Sequence, residues 1–372
     1  MNRLSKKIRN HAWRWLNNIR RSHPQPRQAL LFDETFTESG VALKWKGSPP
    51  SPQQFPPLLT LRAIDKLSFF PPFVLSLHHG SVVGRRGDVV TAQGTIFTNI
   101  SPEIPRRPHY HFLLDRGNMR RPQYIDDSVA VLNCGPYRNY FHFLFEAIGR
   151  LRFYQEAGVR PAYYCVAYTL PFQRELLAHF GVKEQQVIPL QKDTHVVARE
   201  LWVASLPGYH NTNAEVHVKD TSTFDYIRQT LLDHIVSLSG QYATNIYIQR
   251  CGRRTLANED ELLKVLRKQG HWEDVRLEEH SVLKQAAIFY RARVIVSVHG
   301  AGLANLVYAM AGTQIIEIFS AHLIEFVYFQ IATWRQLRYH AIIGTSPEKK
   351  SSDTIWVDPQ HVLAYIEPIP IQ

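Results

Sequence analysis

Cysteine is scarce in this sequence, and long apolar runs are absent. The 372 residues include three cysteines, Cys134, Cys165 and Cys251, and this odd number of widely spaced residues excludes a disulfide framework and a zinc knuckle. The longest apolar stretches are about ten residues, whereas a membrane-spanning helix needs about 20. No apolar segment typical of a signal peptide follows the basic N-terminus. These absences predict a protein of the reducing cytoplasm.

Acidic residues are missing from positions 1–27, which hold eight Lys and Arg residues. Apolar residues recur at helical spacing from Leu4 to Ile19, and this pattern predicts a basic amphipathic helix that lies on an anionic membrane surface. The alternatives are a helix that docks on its own protein and a frayed tail. The net charge is +11, so the other residues are nearly balanced in charge, which disfavours nucleic-acid binding.

The body of the chain has the alternating pattern of an α/β protein. Hydrophobic residues make up 45% of the 372 residues, which is enough for two cores, and this length indicates two domains at roughly 100–200 residues each. We predict an N-terminal α/β domain over residues 28–215 and a C-terminal α/β domain over residues 216–372. The stretch 40–57 is rich in Pro, Ser and Gly and is predicted to be an irregular arm.

Strand and helix patterns alternate four times in the second predicted domain, which is typical of parallel strands joined by right-handed crossovers. The predicted strands span residues 245–249, 274–277, 294–298 and 314–319, and the predicted helices span residues 259–268, 281–290, 301–309 and 322–334. In such open sheets, ligands bind at the carboxyl ends of the strands, next to helix N-termini. Two loops and one strand end therefore become candidates for a site.

The first candidate is the turn His299-Gly300-Ala301-Gly302. Its glycines let the backbone come close to a ligand, and the amides of the following helix favour an anion. The dinucleotide-binding fingerprint is incomplete because Asn305 stands where its third glycine would be, and no Walker lysine follows. The alternative is a tight turn in which glycine serves only geometry.

The second and third candidates are basic and acidic. Arg250 and Arg254 follow a predicted strand, and guanidinium groups beside a glycine-rich helix start fit a diphosphate; the alternative is a solvated basic loop. Glu317 lies within an apolar strand, where a carboxylate needs a partner. The hydroxyls of a ribose would serve, and an internal ion pair or a helix cap is the alternative.

The first predicted domain contributes one candidate, in the run NYFHFLFE at 139–146. His142 and Glu146 are four residues apart on a predicted helix and share a face. The imidazole can act as a general base that the carboxylate orients. The alternatives are a surface His–Glu pair and an incomplete set of metal ligands. No third ligand occurs at a recognisable spacing, so no metal site is predicted.

Three stretches of the sequence resemble glycosyltransferase family 61. They are the segment NIYIQRCGRRTLANEDELLKVLRKQG, the block centred on HGAGLAN that ends in the IE strand, and NYFHFLFEAIGRL. The resemblance implies a GT-B fold, in which two Rossmann-like domains face a cleft. It also implies an inverting, metal-independent enzyme whose C-terminal domain holds a nucleotide-sugar donor, most simply a UDP-sugar, and whose N-terminal domain holds the acceptor.

Together, the residues and the resemblance predict a single displacement. An acceptor hydroxyl, deprotonated by His142, attacks the anomeric carbon, and the charge of the departing diphosphate is stabilised by cations and helix amides. The residues assigned to the donor are Arg250, Arg254, the amides of Gly300, Ala301 and Gly302, Glu317 at the ribose, Asn305 at a phosphate or sugar, and His299 at the sugar. Arg150 is expected to bind the acceptor or the diphosphate.

The predicted function is therefore transfer of a hexosyl or pentosyl group to a glycan or a lipid-linked acceptor in surface polysaccharide synthesis. No cofactor is expected beyond the donor itself. The expected location is the cytoplasm, with residues 1–27 placing the enzyme at the inner face of the membrane. The alternative from another class is a catalytically inactive transferase-like module that binds an anionic glycan or nucleotide.

Overall fold

The computed structural model describes most of the chain in several segments: residues 28–30, 36–48, 71–97, 100, 121–207, 209–210, 217–218, 220–325, 327–345 and 354–367. The basic helix predicted for residues 1–27 lies outside them. The chain divides into two compact units. The first comprises Met1–Arg138 and Phe145–His217, and the second comprises Asn139–Leu144 and Val218–Gln372. No helix of the described residues is long and apolar enough to span a membrane.

The first unit is built on a mixed sheet of ten strands. They are β1 (Gln28–Leu30), β2 (Val41–Lys46), β3 (Phe73–His78), β4 (Ser81–Val83), β5 (Asp88–Val90), β6 (Thr95–Phe97), β7 (Gln123–Leu132), β8 (Tyr163–Val166), β9 (Val187–Pro189) and β10 (His195–Ala204). The main path is β1-β6-β5-β4-β10-β7-β8-β9, with β3 beside β10 and β2 beside β3. Strands β10, β7, β8 and β9 are parallel, whereas β3 and β4 pair antiparallel with β10.

Helices accompany the parallel half of this sheet. A helical run opens with Tyr140–His142, continues through the π-helical segment Phe143–Ile148 and ends with α1 (Gly149–Glu156). Helix α2 (Pro171–His179) connects β8 to β9 through a 3-10 turn at Glu184–Gln186. The parallel neighbours β7, β8 and β9 are thus joined through helical crossovers, as the alternating sequence predicts. The antiparallel half is the departure from a purely Rossmann-like sheet.

One prediction for the first unit is wrong. The stretch 40–57 was expected to be irregular, but Val41–Lys46 forms strand β2, which pairs antiparallel with β3. Its residues before the prolines have ordinary strand-forming side chains, and β3 offers a free edge for main-chain hydrogen bonds. Residues 49–57 lie outside the described residues.

The second unit contains a sheet of five parallel strands. They are β13 (Asn245–Ile248), β15 (Glu273–Val275), β16 (Val294–Val298), β17 (Gln314–Ser320) and β18 (Arg338–Gly344), in the order β15-β13-β16-β17-β18. A small sheet in this unit pairs β14 (Thr255–Leu256) with β19 (Thr354–Ile355). Another small sheet pairs β11 (Tyr209–His210) with β12 (His217–Val218), where the chain passes from the first unit to the second.

Helices alternate with the strands of the second sheet. They are α3 (Thr221–Ser239), α4 (Glu259–Arg267), α5 (Val282–Arg291), α6 (Val327–Arg335) and α7 (Pro359–Leu363), with 3-10 segments at Leu277–Glu279 and Ala301–Tyr308. Every residue of β16 and β17 is buried. Such continuous burial is expected for parallel strands that are covered on both faces. A fully buried Val or Ile stabilises the fold by about 1.5–3 kcal/mol.

The last part of this unit differs from the sequence prediction. The helix expected over residues 322–334 begins only at Val327, and strand β18 was not predicted. The sequence RYHAIIG of β18 mixes polar, aromatic and aliphatic residues, because this strand lies at the edge of the sheet and is partly exposed. Its hydrophobic pattern is therefore weaker than that of β16 or β17.

Candidate functional site

The second sheet reverses its strand order between β13 and β16. Taken along the chain, its strands lie in the order second, first, third, fourth, fifth. In open α/β sheets, the crevice at such a reversal, outside the carboxyl ends of the strands, is where ligands bind. The two loops that leave these strand ends carry Arg250 and Gly300. The topology therefore brings together the two loops that the sequence indicates separately.

The guanidinium of Arg250 packs directly against Gly300. A Cβ atom at position 300 would overlap the guanidinium, so only glycine leaves room for this contact. Nη2 of Arg250 donates to the carbonyl oxygen of Arg253 over 3.3 Å, while Nε is buried and has no hydrogen-bond partner. Burial and the neighbouring charge of Arg254 lower the pKa of Arg250. An anion bound here would pair with the half-buried charge of Arg250 and accept a hydrogen bond from its unsatisfied donor.

The loop that carries Arg254 adopts unusual backbone conformations. Gly252 has φ of +90° and Arg254 has φ of +60°, so the chain turns sharply after β13. Left-handed backbone in a non-glycine residue costs free energy and concentrates at functional sites. In this loop Arg254 lies close enough to Arg250 for its charge to lower the pKa of Arg250.

His299 stands at the end of β16 between two carboxylates. Its Nδ1 lies 2.5 Å from Oε1 of Glu317, and its Nε2 lies 3.3 Å from Oε2 of Glu325. Glu317 is completely buried, and its Oε2 accepts a hydrogen bond of 2.5 Å from the hydroxyl of Tyr339. Both oxygens of Glu317 thus have internal partners. This is the internal ion pair that the sequence left open as the alternative to a ribose contact.

The charge of His299 follows from these partners. Burial lowers its pKa, but the hydrogen bonds and charges of Glu317 and Glu325 outweigh burial and raise the pKa above 6.5. A protonated imidazole donates from both ring nitrogens, so one proton serves each carboxylate. The raised pKa favours the imidazolium form of His299, which would add positive charge to the end of the sheet.

Tyr328 lies where these charges meet. Its ring lies 5.2 Å from that of His299, between centroids. Burial, then the charges of Glu317 and Glu325, raise the pKa of Tyr328, while those of Arg250 and Arg254 oppose the increase. Tyr328, Tyr339 and Glu325 were not among the residues selected from the sequence. The pairing of β17 with β18 would have indicated Tyr339, two positions from Ala341, the partner of Glu317 in the sheet.

Asn305 is engaged inside the protein. Its Oδ1 accepts a hydrogen bond of 3.0 Å from the hydroxyl of Tyr140, and its Nδ2 donates to Gln285 and to the carbonyl oxygen of Gly302. The residue is fully buried. These contacts fix the 3-10 segment Ala301–Tyr308 behind the turn, so Asn305 shapes the turn from within.

The segment Asn139–Leu144 belongs to the second unit although it precedes most of that unit in the sequence by about 80 residues. Oδ1 of Asn139 accepts hydrogen bonds from the amides of Phe141 and His142 and caps the helical run. The ring of Phe141 contacts that of Tyr328 at 5.7 Å and that of His142 at 5.4 Å. The structure therefore brings His142 into the same unit as the HGAG turn. The π-helical segment that follows is of a kind common at functional sites.

Two other residues of this motif lie in the first unit. Glu146 is buried, and its charge acts on Arg150. Arg150 is completely buried and donates to the carbonyl oxygens of Ile100, Asn133 and Ser205. The expectation that Arg150 binds acceptor or diphosphate is wrong, because all of its nitrogens serve the backbone of its own unit.

The described residues contain no group of three His, Cys, Asp or Glu side chains suited to a metal ion. Arg250 and Arg254 supply cationic side chains at this end of the second sheet, and His299 lies at the end of the neighbouring strand β16. With the turn amides, they can hold a doubly charged phosphate group and stabilise negative charge that develops on it.

Comparison with known proteins agrees with the motifs. Residues 140–316 match the family model described as Glycosyltransferase 61. The match begins in the helical run at Tyr140 and ends in β17, so it includes His142, Arg250 and the HGAG turn. No curated protein matches the chain. Over residues 140–316, the chain is therefore similar to glycosyltransferase family 61.

Proposed function

We propose that the protein transfers a sugar from a nucleotide-sugar donor to an acceptor hydroxyl in a single inverting displacement. The observation that carries the proposal is the packing of Arg250 on Gly300, at the strand-order reversal, with Nε buried and unpartnered. This arrangement supports a diphosphate site formed by two loops of one unit. The family match supports the reaction class.

The charges at the site suit the leaving group. When the bond between sugar and diphosphate breaks, negative charge grows on the bridging oxygen and the terminal phosphate. Arg250, Arg254 and the amides of Gly300, Ala301 and Gly302 would stabilise that charge without rearranging, since their positions are already fixed. His299 adds charge to this cluster. Metal independence is part of the proposal, because fixed cations can do what a divalent ion does in other transferases.

His142 is the candidate base in this proposal. Its place next to Phe141, whose ring contacts Tyr328 at 5.7 Å, supports a position near the donor site. Glu146, four residues further along the helical run, is the candidate orienting carboxylate. We assign Asn305 and Glu317 a supporting role rather than direct ligand contact, because their polar atoms already have internal partners. His142→Ala is expected to abolish sugar transfer while donor binding survives.

We place the fold in the GT-B class, with the donor on residues 216–372 and the acceptor on residues 28–215. The support is the presence of two α/β units, each with parallel strands reached through helical crossovers. A UDP-linked donor and a glycan or lipid-linked acceptor of surface polysaccharide synthesis complete the proposal.

The test is calorimetric titration with UDP, GDP, CMP, ADP and their common sugar conjugates, with and without EDTA. We expect one nucleotide to bind saturably, independently of EDTA, and Arg250→Ala to weaken this binding at least about tenfold, since it removes a charge-assisted pair. Arg293→Ala is the matched control: it removes the same charge from an exposed residue just before β16, at the opposite end of that strand. Equal effects of both substitutions would contradict the proposed site. Binding without any sugar transfer or donor hydrolysis would favour the inactive module.

We further propose that residues 1–27 hold the enzyme at an anionic membrane surface inside the cell. The support is their eight basic residues without an acid, each worth about 1 kcal/mol near such a surface. The full chain is expected to sediment with phosphatidylglycerol vesicles, and the chain without residues 1–27 is not. If the shortened chain binds these vesicles equally tightly, the segment has no such role.

A further inference from the structure

The cationic end of the second sheet already holds an anion of the protein itself. Oε2 of Glu325 lies 3.3 Å from Nε2 of His299. The Glu325 side chain is 50% exposed, whereas that of Glu317, on the other ring nitrogen, is 0% exposed. His299 therefore has one permanent counter-ion inside the core and a second one at the surface. Only the second can leave without opening the core.

The surroundings of Glu325 are those of the diphosphate site. Its charge and the charges of Arg250 and Arg254 act on the same hydroxyl, that of Tyr328. That ring in turn contacts His299. Glu325 thus lies close to the groups that would hold a phosphate, as a partly exposed carboxylate on the outer nitrogen of His299. A diphosphate would compete with this carboxylate for the outer nitrogen of the imidazolium.

We propose that Glu325 is an exchangeable counter-ion of His299, and that the donor diphosphate displaces it and takes its place at Nε2. This inference rests on the proposed function and assigns a role to a residue of the same site. Glu317 and Tyr339 keep the imidazolium oriented throughout, so the exchange occurs at one nitrogen only. The exchange makes binding selective for an anion, because a neutral ligand that displaced Glu325 would leave Nε2 without a negative partner.

The test compares the affinity of inorganic pyrophosphate for the full chain and for Glu325→Gln. Removing the competing carboxylate is expected to tighten pyrophosphate binding about two- to fivefold, which is the range for a partly exposed charge pair. Glu273→Gln is the matched control, because it removes the same charge from an exposed residue at the opposite, amino end of β15. Its affinity for pyrophosphate should equal that of the parent protein.

A double-mutant cycle identifies the partner of Glu325. In a Glu317→Gln/His299→Gln background, which removes the imidazolium and its buried carboxylate together, Glu325→Gln should no longer tighten binding. Thermal melting of each variant establishes that it is folded. Unchanged or weaker binding by Glu325→Gln, or tightening that persists without His299, would overturn the proposal.

The outcomes separate this inference from the proposed function. If pyrophosphate binds in an Arg250-dependent manner but Glu325→Gln has no effect, the diphosphate site stands and the counter-ion exchange is wrong. If neither the parent protein nor Glu325→Gln binds pyrophosphate or any nucleotide, the diphosphate site itself is wrong. If Glu325→Gln binds pyrophosphate measurably and the parent protein does not, Glu325 competes with the anion, and the exchange is supported.

Discussion

Arg150 and Tyr154 extend from one face of α1 into the gap between the ends of β7 and β10. The hydroxyl of Tyr154 bonds to backbone groups of Val131 and Trp202, one on each strand. The guanidinium of Arg150 binds carbonyl oxygens just beyond the same two strands, at Asn133 and Ser205. Among the four parallel strands, this gap is where the order reverses. In the first unit, the position that commonly holds a ligand is therefore filled by the protein.

Arg150→Met should destabilise the protein without changing its chemistry. The substitution leaves the carbonyl oxygens of Ile100, Asn133 and Ser205 without this donor inside the core, and each unsatisfied group costs about 1–3 kcal/mol. We expect a loss of about 3 kcal/mol or more in the free energy of unfolding, measured from the urea midpoint. Arg160→Met, at an exposed residue of the same unit, should have little effect. A fully stable Arg150→Met protein without transferase activity would contradict the structural role.

The raised pKa of His299 predicts how the free energy of unfolding changes with pH. Its pKa is raised above 6.5, because Glu317 and Glu325 outweigh the effect of burial, and burial raises the pKa of Glu317 above 4.5. A raised pKa stabilises the folded state fully below the unfolded value, and this stabilisation is lost as pH increases through the raised value. Both groups therefore act in the same direction. The neighbouring Tyr328 stays protonated in this range, since its pKa is raised well above 10.0.

The urea midpoint should accordingly decrease as the pH increases above 6.5. The double variant Glu317→Gln/His299→Gln should lose this decrease, because two amides can bond to each other without a titrating proton. His271→Gln, at an exposed residue of the same unit, should keep it. The same pH dependence in the parent protein and the double variant would show that another group is responsible.

At the scale of elements, the turn from β16 into the 3-10 segment is shaped by contacts rather than by backbone strain. Gly300 has φ of 178°, which any residue adopts, so its role is to leave space for Arg250. Gly302 similarly leaves space for the side chain of Leu277. The glycines of HGAG thus admit two neighbouring side chains, one cationic and one apolar.

Gly300→Ala should therefore weaken nucleotide binding while leaving the fold intact. The added methyl group displaces the guanidinium of Arg250, whose long side chain can move aside at little cost to stability. We expect nucleotide affinity to decrease by about the same factor as in Arg250→Ala, at least about tenfold, with a nearly unchanged melting temperature. Gly240→Ala is the control, because its φ is −60° and a Cβ atom there would meet nothing within 4 Å. Normal nucleotide affinity in Gly300→Ala would remove the Arg250–Gly300 contact from the site.

The elements that the sequence predicts best are those with one simple hydrophobic pattern. Strand β16 has the predicted bounds because five consecutive apolar or small residues are buried on both faces. The sequence does not indicate strand β18, because this edge strand has an irregular hydrophobic pattern. It also does not indicate the later start of α6, where Leu323 forms a β-bridge with Ser320 instead of a helical turn. In the site, the sequence indicated Arg250 and His299 through their places after strands. It did not indicate Tyr328 or Glu325, whose positions depend on how α6 packs.

At the scale of the whole molecule, the basic residues and the family motifs lie in different parts of the sequence. Residues 1–27 carry eight of the positive charges, so the units that follow do not rely on a basic surface. The helical run at Tyr140 is shared: Asn139–Leu144 belongs to the second unit and the rest of the run to the first. A family motif that looks local in the sequence thus contributes to both units. The family match, from residue 140 to residue 316, accordingly includes residues of both units.

Tyr140→Phe tests whether the second unit depends on a residue from the first half of the chain. The substitution removes the hydrogen bond of 3.0 Å to Oδ1 of Asn305 and leaves that buried oxygen without this donor, at a cost of about 1–3 kcal/mol. Because Asn305 holds the 3-10 segment Ala301–Tyr308 through Gln285 and Gly302, hydrogen exchange should accelerate in that segment. Exchange in β7 of the first unit should not change. Tyr242→Phe, whose hydroxyl accepts only a long bond of 3.4 Å from Gln241 at an exposed turn, should leave both regions as they are. If the Ala301–Tyr308 peptide exchanges at the parent rate in Tyr140→Phe, the turn is maintained by the second half of the chain alone, and the shared helical run does not stabilise the HGAG turn.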